Sequence, residues 1–507
     1  MSSMPRRILL TGATGMLGRY LLRDLLAAGC HVTVLARDSR KAKAADRIGE
    51  IVQFSSESLG HRLPEPTVVA GDIREENLGI TVADRRWLAV SCDAVVHAAA
   101  SLSFLETADG EPQATNVGGT RHLLDLCRRV GLKEMHFIST AFVCGQVSGN
   151  VLEDAVNREP RFHNTYERSK HQAEQLLREA TDVRLTVYRP SVIVGDSRTG
   201  YSSSFTGIYR FLEFAAKLSM PVPSAEGTKL RLPVRMPLTG DEPRNLVPVD
   251  WVSQAIVRLV NLPDHHGRNY HLVASRPVPT RLIEEAAQIA LKLEGVNFAG
   301  PDAWNNRSEL EKIFLDHLAE YWPYMHGDPA FDSRNLSAAL PDYPAASVDR
   351  DLLVRLIEFA VEDRWGRRQR SAAPKRVDCR QYIEEVFPER SRRSPLAKAA
   401  NLNVAVGIDI RGPNGGEWTC HWIDGELVGV CRGISTRVDV FYHIDEMTFD
   451  DLINGRQSPP EAFFAKRIEV DGDVEKALKL AVLFGHFLTE SPIRETSMEA
   501  VGALGRT

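Results

Sequence analysis

Over the first 275 positions, short apolar runs alternate with longer stretches of helical periodicity. Ile8, Leu9 and Leu10 run into three glycines spaced by three, Gly12, Gly15 and Gly18. Leu17, Leu21, Leu22, Leu25 and Leu26 then share one stripe ahead of Gly29, which predicts a strand, a tight turn and a helix with a glycine at its C-terminus. Further strands are predicted at 31–36, 68–70, 94–97, 135–139, 185–189 and 269–274, with helices at 113–130, 166–179 and 251–262. Strands alternating with helices imply an α/β fold, a Rossmann doubly wound parallel sheet over 1–275.

From 280 to 365 the pattern is helical, broken at Pro301, Pro323, Pro329, Pro341 and Pro344, and predicts a helical extension over 276–365. Apolar residues then thin out around Arg367, Arg368, Arg370, Lys375, Arg376, Arg390, Arg392 and Arg393, so 366–399 reads as a basic linker. The sharper alternative is weak attraction to an anionic lipid surface. Beyond it, Pro413-Asn414-Gly415-Gly416 and Asp424-Gly425 are turn signals between β-rich runs. Val438, Val440, Tyr442 and Ile444 alternate with Asp439, Phe441 and His443, as in a strand buried on one face. Helices at 449–454 and 460–465, a strand at 467–470 and an amphipathic helix at 474–488 complete a smaller α+β domain over 400–490, followed by a tail over 491–507.

Composition narrows the function classes. Among 507 residues 43% are apolar and 25% charged, with a net charge of −5, which argues against a polyanion-binding field and hence against nucleic acid. The seven cysteines form no CxxC pair, so no metal site and no disulfide framework is expected. The first strand begins too early for a signal peptide, and no apolar run approaches the roughly 18 residues of a membrane span, which points to the cytoplasm. Oligomeric state is open.

Three stretches carry chemistry. The glycines let backbone N–H groups approach a pyrophosphate at a helix N-terminus. Tyr166 and Lys170, four apart, fall on one helix face, where an ammonium lowers a phenol's pKa and readies it for acid–base work. Ser139-Thr140 ends the fifth predicted strand, at the sheet edge where such folds bind ligands, and offers a hydroxyl to the same substrate oxygen. At the end of the second strand Ala36 stands where an NAD-binding carboxylate belongs, and Arg37, with Arg40 or Lys41, suits a 2′-phosphate, so NADPH is favoured. Asp38 would reverse that choice if a shifted register put it on the ribose.

Thr11-Gly12-Ala13-Thr14-Gly15-Met16-Leu17-Gly18, Gly71-Asp72-Ile73, His97-Ala98-Ala99-Ala100, Asn116-Val117-Gly118-Gly119-Thr120, Ser139-Thr140-Ala141, Tyr166xxxLys170 and Arg189-Pro190-Ser191 occur in the order of an extended short-chain dehydrogenase/reductase, which residues 1–275 resemble. The resemblance implies that Thr140 orients the substrate oxygen, Tyr166 gives or takes its proton, Lys170 holds the nicotinamide ribose, and Asn116 serves as a structural or proton-relay asparagine. It further implies a cofactor lying along Thr11, Gly12, Thr14, Gly15, Met16, Leu17 and Gly18, with Asp72 and Ile73 by the adenine. Ala98, Ala99 and Ala100 and Arg189, Pro190 and Ser191 would complete that site. Phe137-Ile138-Ser139-Thr140-Ala141-Phe142-Val143 and Asn245-Leu246-Val247-Pro248-Val249-Asp250-Trp251-Val252 resemble the branch of fatty acyl-CoA reductases and thioester-reductase domains.

The 400–490 region resembles sterol carrier protein type two through Gly416-Glu417-Trp418-Thr419-Cys420-His421-Trp422, the run from Met447 to Gly455, Pro460-Glu461-Ala462-Phe463-Phe464 and the run from Ile468 to Asp473. That family encloses sterols or acyl chains. The aromatic residues Trp418, Trp422, Phe463, Phe464, Phe484 and Phe487 are equally explained as plain core. Together the resemblances imply an NADPH-dependent reductase of a lipophilic carbonyl, an acyl thioester first, with a lipid-carrier domain. A hydroxysteroid-type dehydrogenase and an NADP(H)-sensing lipid-binding protein are the alternatives.

Overall fold

The computed structural model describes the chain except residues 1–4, 40–41, 155–159, 225–226, 306, 368–377, 394–402, 413–414, 436, 454–458, 465–466, 474–475, 478–479 and 481–507. It divides into two compact units, one built from 1–210, 233–306 and 318–362 and the other from 211–232, 307–317 and 363–507.

The first unit is organised on seven parallel strands: β1 (Arg7–Thr11), β2 (His31–Ala36), β3 (Thr67–Ala70), β4 (Ala94–His97), β5 (Glu134–Ile138), β6 (Arg184–Pro190) and β7 (Asn269–Leu272), in the order β7-β6-β5-β4-β1-β2-β3. Successive residues point to opposite faces, so two cores form. Ile8, Leu10, Val34 and Val96 pack with Leu21, Leu22 and Leu25 of α1 (Met16–Ala27) and with Val252, Ile256 and Leu259 of the helix Val249–Val260. Leu9, Leu35, Val95, Phe137 and Val187 meet Leu123, Leu124 and Cys127 of the helix Thr120–Val130 and Ala173 and Leu177 of the helix Thr165–Arg178. The strand order reverses between β1 and β4, which opens a crevice at the carboxyl ends of both.

The extension differs from its expected all-helical form. Helices Thr280–Leu291, Glu309–His317 and Arg350–Glu362 are present, but Leu293–Phe298 is a strand and Ala319–His326 a run of tight 3₁₀ turns around Pro323. A helix Ile208–Leu218 and the antiparallel strands Met220–Ser224 and Gly227–Met236 are additions to the predicted set. Leu230, Leu232, Val234 and Met236 alternate with Lys229, Arg231 and Arg235, a strand pattern legible in the chain.

The second unit holds a five-stranded sheet of β8 (Val404–Arg411), β9 (Gly416–Ile423), β10 (Glu426–Arg432), β11 (Val440–Asp445) and β12 (Ile468–Gly472), ordered β10-β9-β8-β11-β12. Only the β8–β11 pairing is parallel. Val406, Ile408, Trp418, Cys420, Trp422, Val440, Tyr442 and Ile444 make one face apolar, against Phe449, Leu452 and Ile453 of the helix Glu446–Ile453. Phe463 is partly exposed rather than core.

The linker expected over 366–399 is corrected by this core. Residues 379–393 form consecutive helical turns, and Cys379, Tyr382, Ile383 and Phe387 are buried within it. Their spacing of three, one and four is an amphipathic stripe masked by the surrounding arginines and glutamates. The C-terminal fold thus begins by Asp378, well before the expected residue 400. Of the amphipathic helix predicted at 474–488, only Lys476, Ala477 and Leu480 are described, with Ala477 and Leu480 buried; Phe484, Phe487 and the tail lie outside the described residues. No helix among the described residues is long and apolar enough to cross a membrane.

Candidate active site

The glycine turn is shaped by close approach. Gly12 sits at φ +77°, and a Cβ there would come within 2.4 Å of the Ala99 backbone nitrogen; one on Gly18 would lie 1.9 Å from the Gly12 carbonyl oxygen. The loop therefore packs directly on Ala98 and Ala99 past β4. Gly15 begins α1 without a side-chain cap, so no side chain occupies the first-turn N–H groups, those of Met16 and Leu17 among them, at the positive end of the helix. Thr14, half-buried, uses its carbonyl to accept the Arg19 guanidinium at 3.2 Å, and Ala100 lies at the exposed end of the β4 segment.

A buried polar chain links this turn to the Tyr166 helix. The Thr11 hydroxyl accepts the Ala99 N–H at 3.3 Å and meets His97 Nδ1 at 2.7 Å; His97 Nε2 meets the Thr120 hydroxyl at 3.0 Å, which donates to the Asn116 carbonyl at 2.6 Å. Asn116 Nδ2 donates to the Ser101 carbonyl and the Ser169 hydroxyl, and Ser169 donates to the Tyr166 carbonyl at 2.7 Å. Burial pushes His97 down to about 3, so it is a neutral link. Asn116 thus bridges the segment after β4 to the Tyr166 helix.

Ser139 and Thr140 leave the end of β5. The Ser139 hydroxyl donates to Glu174 at 2.9 Å, while Thr140 Oγ1 accepts the Phe142 N–H at 3.3 Å, which leaves the threonine's own O–H to donate elsewhere. The helix Thr165–Arg178 is capped by Asn164, whose Oδ1 accepts the Glu167 N–H at 3.0 Å, while Glu167 accepts the His163 N–H at 2.9 Å. This places Tyr166 in the first turn.

Lys170, 2% exposed, donates to the Ile138 carbonyl at 2.6 Å and lies 4.1 Å over the Phe137 ring. Burial pulls its ammonium down to about 7. The expected lowering of the Tyr166 phenol is not found. Burial, and then the adjoining Glu167 carboxylate, hold that phenol above its ordinary range, because Lys170 is anchored on the β5 backbone instead of the phenol.

At the ends of β2 and β3, Arg37 is 65% exposed and lies 3.7 Å from Asp72. Asp38 turns away, accepting the Ala44 N–H at 2.8 Å and the Lys43 ammonium at 2.9 Å. Ile73 is buried against Gly119, and Arg40 lies outside the described residues. Arg189 and Ser191 do not offer their side chains to the crevice. Arg189 is buried in an ion pair with Glu174 and donates to the Glu153 carbonyl at 3.1 Å; Ser191 donates to Asn245 at 2.7 Å, and Pro190 closes the β6–β7 pairing opposite Leu272.

Sequence reasoning missed the rings on the extension. Tyr321 and Tyr324 lie 5.2 and 5.8 Å from Phe104, which is 6.4 Å from Tyr166; Phe142 is 5.6 Å from Tyr324 and 5.9 Å from Phe331. All six are half-buried, and together they form an apolar wall on the Tyr166 side. Elsewhere Glu134, His136 and His266 bring ligand-type atoms together, but the Arg6 guanidinium pairs with Glu134 there, giving a charge-balanced network.

The family model described as Male sterility protein matches residues 10–256, and that of the SCP-2 sterol transfer family matches 384–485. The chain is 26% identical to the nonribosomal peptide synthetase asaC of Aspergillus flavus, over 54% of this chain and 26% of that one. It is 27% identical to a candidate fatty acyl-CoA reductase of Drosophila melanogaster, over 50% of this chain and 54% of that one. The chain thus spans about a quarter and about half of these relatives' lengths. The solved terminal R domain from the myxalamid PKS-NRPS biosynthetic pathway superposes with a TM-score of 0.58 at 28% identity, covering 71% of this chain and 92% of that one. Residues 10–256 therefore match the Male sterility protein family, extended short-chain dehydrogenase/reductases whose similarity supports an NAD(P)-dependent oxidoreductase, and residues 384–485 match the SCP-2 sterol transfer family.

Proposed function

We propose that the chain reduces a lipophilic acyl thioester to an aldehyde with NADPH, and that its C-terminal region carries lipid. The observation that carries this reading is the gathering of Thr140, Tyr166 and Lys170 around the end of β5, beside a glycine cradle too tight for side chains and an aromatic wall suited to an acyl chain.

The bound nicotinamide would supply the hydride to the carbonyl carbon. Thr140, its lone pair engaged by Phe142, donates its O–H to the carbonyl oxygen. Tyr166, held protonated by burial and Glu167, delivers its proton to that oxygen as charge develops. The hemithioacetal then breaks its carbon–sulfur bond, releasing thiol and aldehyde. Lys170 would hold the ribose and reload the phenol, a role supported by its readily lost proton and its anchor on Ile138.

NADPH is supported by the exposed Arg37 and by the removal of Asp38 to the start of the helix Ala44–Leu59. Lipid carriage is supported by the match to the SCP-2 sterol transfer family and by the apolar face of the second sheet.

Incubating the protein with NADPH and a panel of acyl-CoAs, aldehydes and ketosteroids, while following nicotinamide absorbance, tests this. Aldehyde appearing from long-chain acyl thioesters is expected. Turnover of ketosteroids alone would replace the reading with a hydroxysteroid-type dehydrogenase, and NADPH-dependent lipid binding with no turnover at all would replace it with a sensor.

A further inference from the structure

The residue after the catalytic tyrosine is a carboxylate that is 1% exposed. A buried carboxylate is retained only with partners, and those of Glu167 form a closed ring. Its Oε2 accepts the His163 N–H at 2.9 Å and its Oε1 accepts the Tyr324 hydroxyl. Tyr324 in turn accepts Asn164 Nδ2 at 2.6 Å, and Asn164 Oδ1 accepts the Glu167 N–H. Tyr324 comes from the extension, and its carbonyl is held by Arg244. The proton on the Glu167 side of this ring is therefore supplied from about 160 residues away in sequence, by the segment that also forms the aromatic wall.

We propose that Tyr324 and Glu167 act as an electrostatic latch, positioning residues that keep the Tyr166 phenol loaded with its proton and so suit the site to reduction over oxidation. The inference rests on the reductase reading only in its use of Tyr166 as proton donor. Glu167 is raised by burial and drawn back down by the Tyr324 hydroxyl and the His163 N–H, so removing that hydroxyl favours its neutral form. An ionised Glu167 beside Tyr166 opposes a phenolate, and a neutral one does not. The other groups facing this pair are the His163 ring, 3.9 Å from Glu167; Cys144, from the turn after β5, itself pushed up to about 12; and Lys170 one turn along the helix, with Glu174 beyond it. None of these replaces the Tyr324 hydrogen bond.

The test uses the full chain and a soluble aldehyde with NADPH, together with the corresponding alcohol and NADP⁺. In Glu167→Gln and in Tyr324→Phe, the basic limb of kcat/KM for aldehyde reduction should move down by about one pH unit, and alcohol oxidation at pH 7 should rise about tenfold, since the phenolate fraction grows tenfold per unit. The double variant should move no further, because the two residues act in series. Tyr324→Phe keeps its ring, so KM for the aldehyde should stay within about threefold. Simple damage to the helix cap lowers both directions and leaves the limb in place. An unmoved limb, a slower oxidation, or additive shifts would each overturn the latch. Because the aldehyde bypasses the thioester, failure of the protein to reduce acyl thioesters would sink the substrate reading and leave this measurement intact.

Discussion

Arg37 lies 3.7 Å from Asp72, across the carboxyl ends of neighbouring parallel strands, with the guanidinium 65% exposed. A surface pair of this kind is worth about 0–1 kcal/mol, so it positions the guanidinium without trapping it. Charge-assisted hydrogen bonds to a phosphate are worth roughly 1.5–3 kcal/mol. Arg37→Ala should therefore weaken NADPH binding by about 10- to 100-fold and NADH binding by less than about threefold, as measured by fluorescence titration. Equal losses would remove Arg37 from phosphate recognition.

Tyr166→Phe keeps the ring beside Phe104 and deletes the proton. Turnover should fall by about 10²–10⁴, the usual range for a general acid, while NADPH affinity stays within a few-fold. Full activity in this variant, followed by nicotinamide absorbance, would reject the assignment.

Lys170 carries a pH signature in stability. Its folded-state value near 7 lies below the ordinary 10.4 or so of an unfolded lysine, so between those limits the unfolded chain binds the extra proton. Stability should accordingly rise as pH climbs from about 7 toward 10, and the rise should be absent in Lys170→Met. Denaturant midpoints of both proteins at three pH values measure it; parallel curves would mean the ammonium is not buried.

Trp418 and Trp422 lie on the apolar face of the second sheet. A fluorescent fatty acid bound there should accept energy from them, with affinity growing by about 0.8 kcal/mol per added methylene until the chain is enclosed. Trp418→Phe with Trp422→Phe should abolish most of the transfer without abolishing binding. Chain-length-independent or non-saturable binding would make this region a structural appendage.

Local pattern alone was enough for much of this protein. All seven core strands were predicted from short apolar or β-branched runs, and the glycine turn and the Tyr166–Lys170 pair stand out by their spacing. The helical turns of 379–393 were legible too, but the stripe of Cys379, Tyr382, Ile383 and Phe387 was outweighed by the basic composition around it. Tertiary structure decided what depends on partners distant in sequence. Whether Lys170 faces the phenol or the Ile138 carbonyl, whether Asp38 reads a ribose or caps a helix, and whether Glu167 is solvated or held by Tyr324 cannot be computed from spacing. A side chain's charge and role are set by burial and by the donors that reach it. Those donors arrive through folding, from as far away as residue 324.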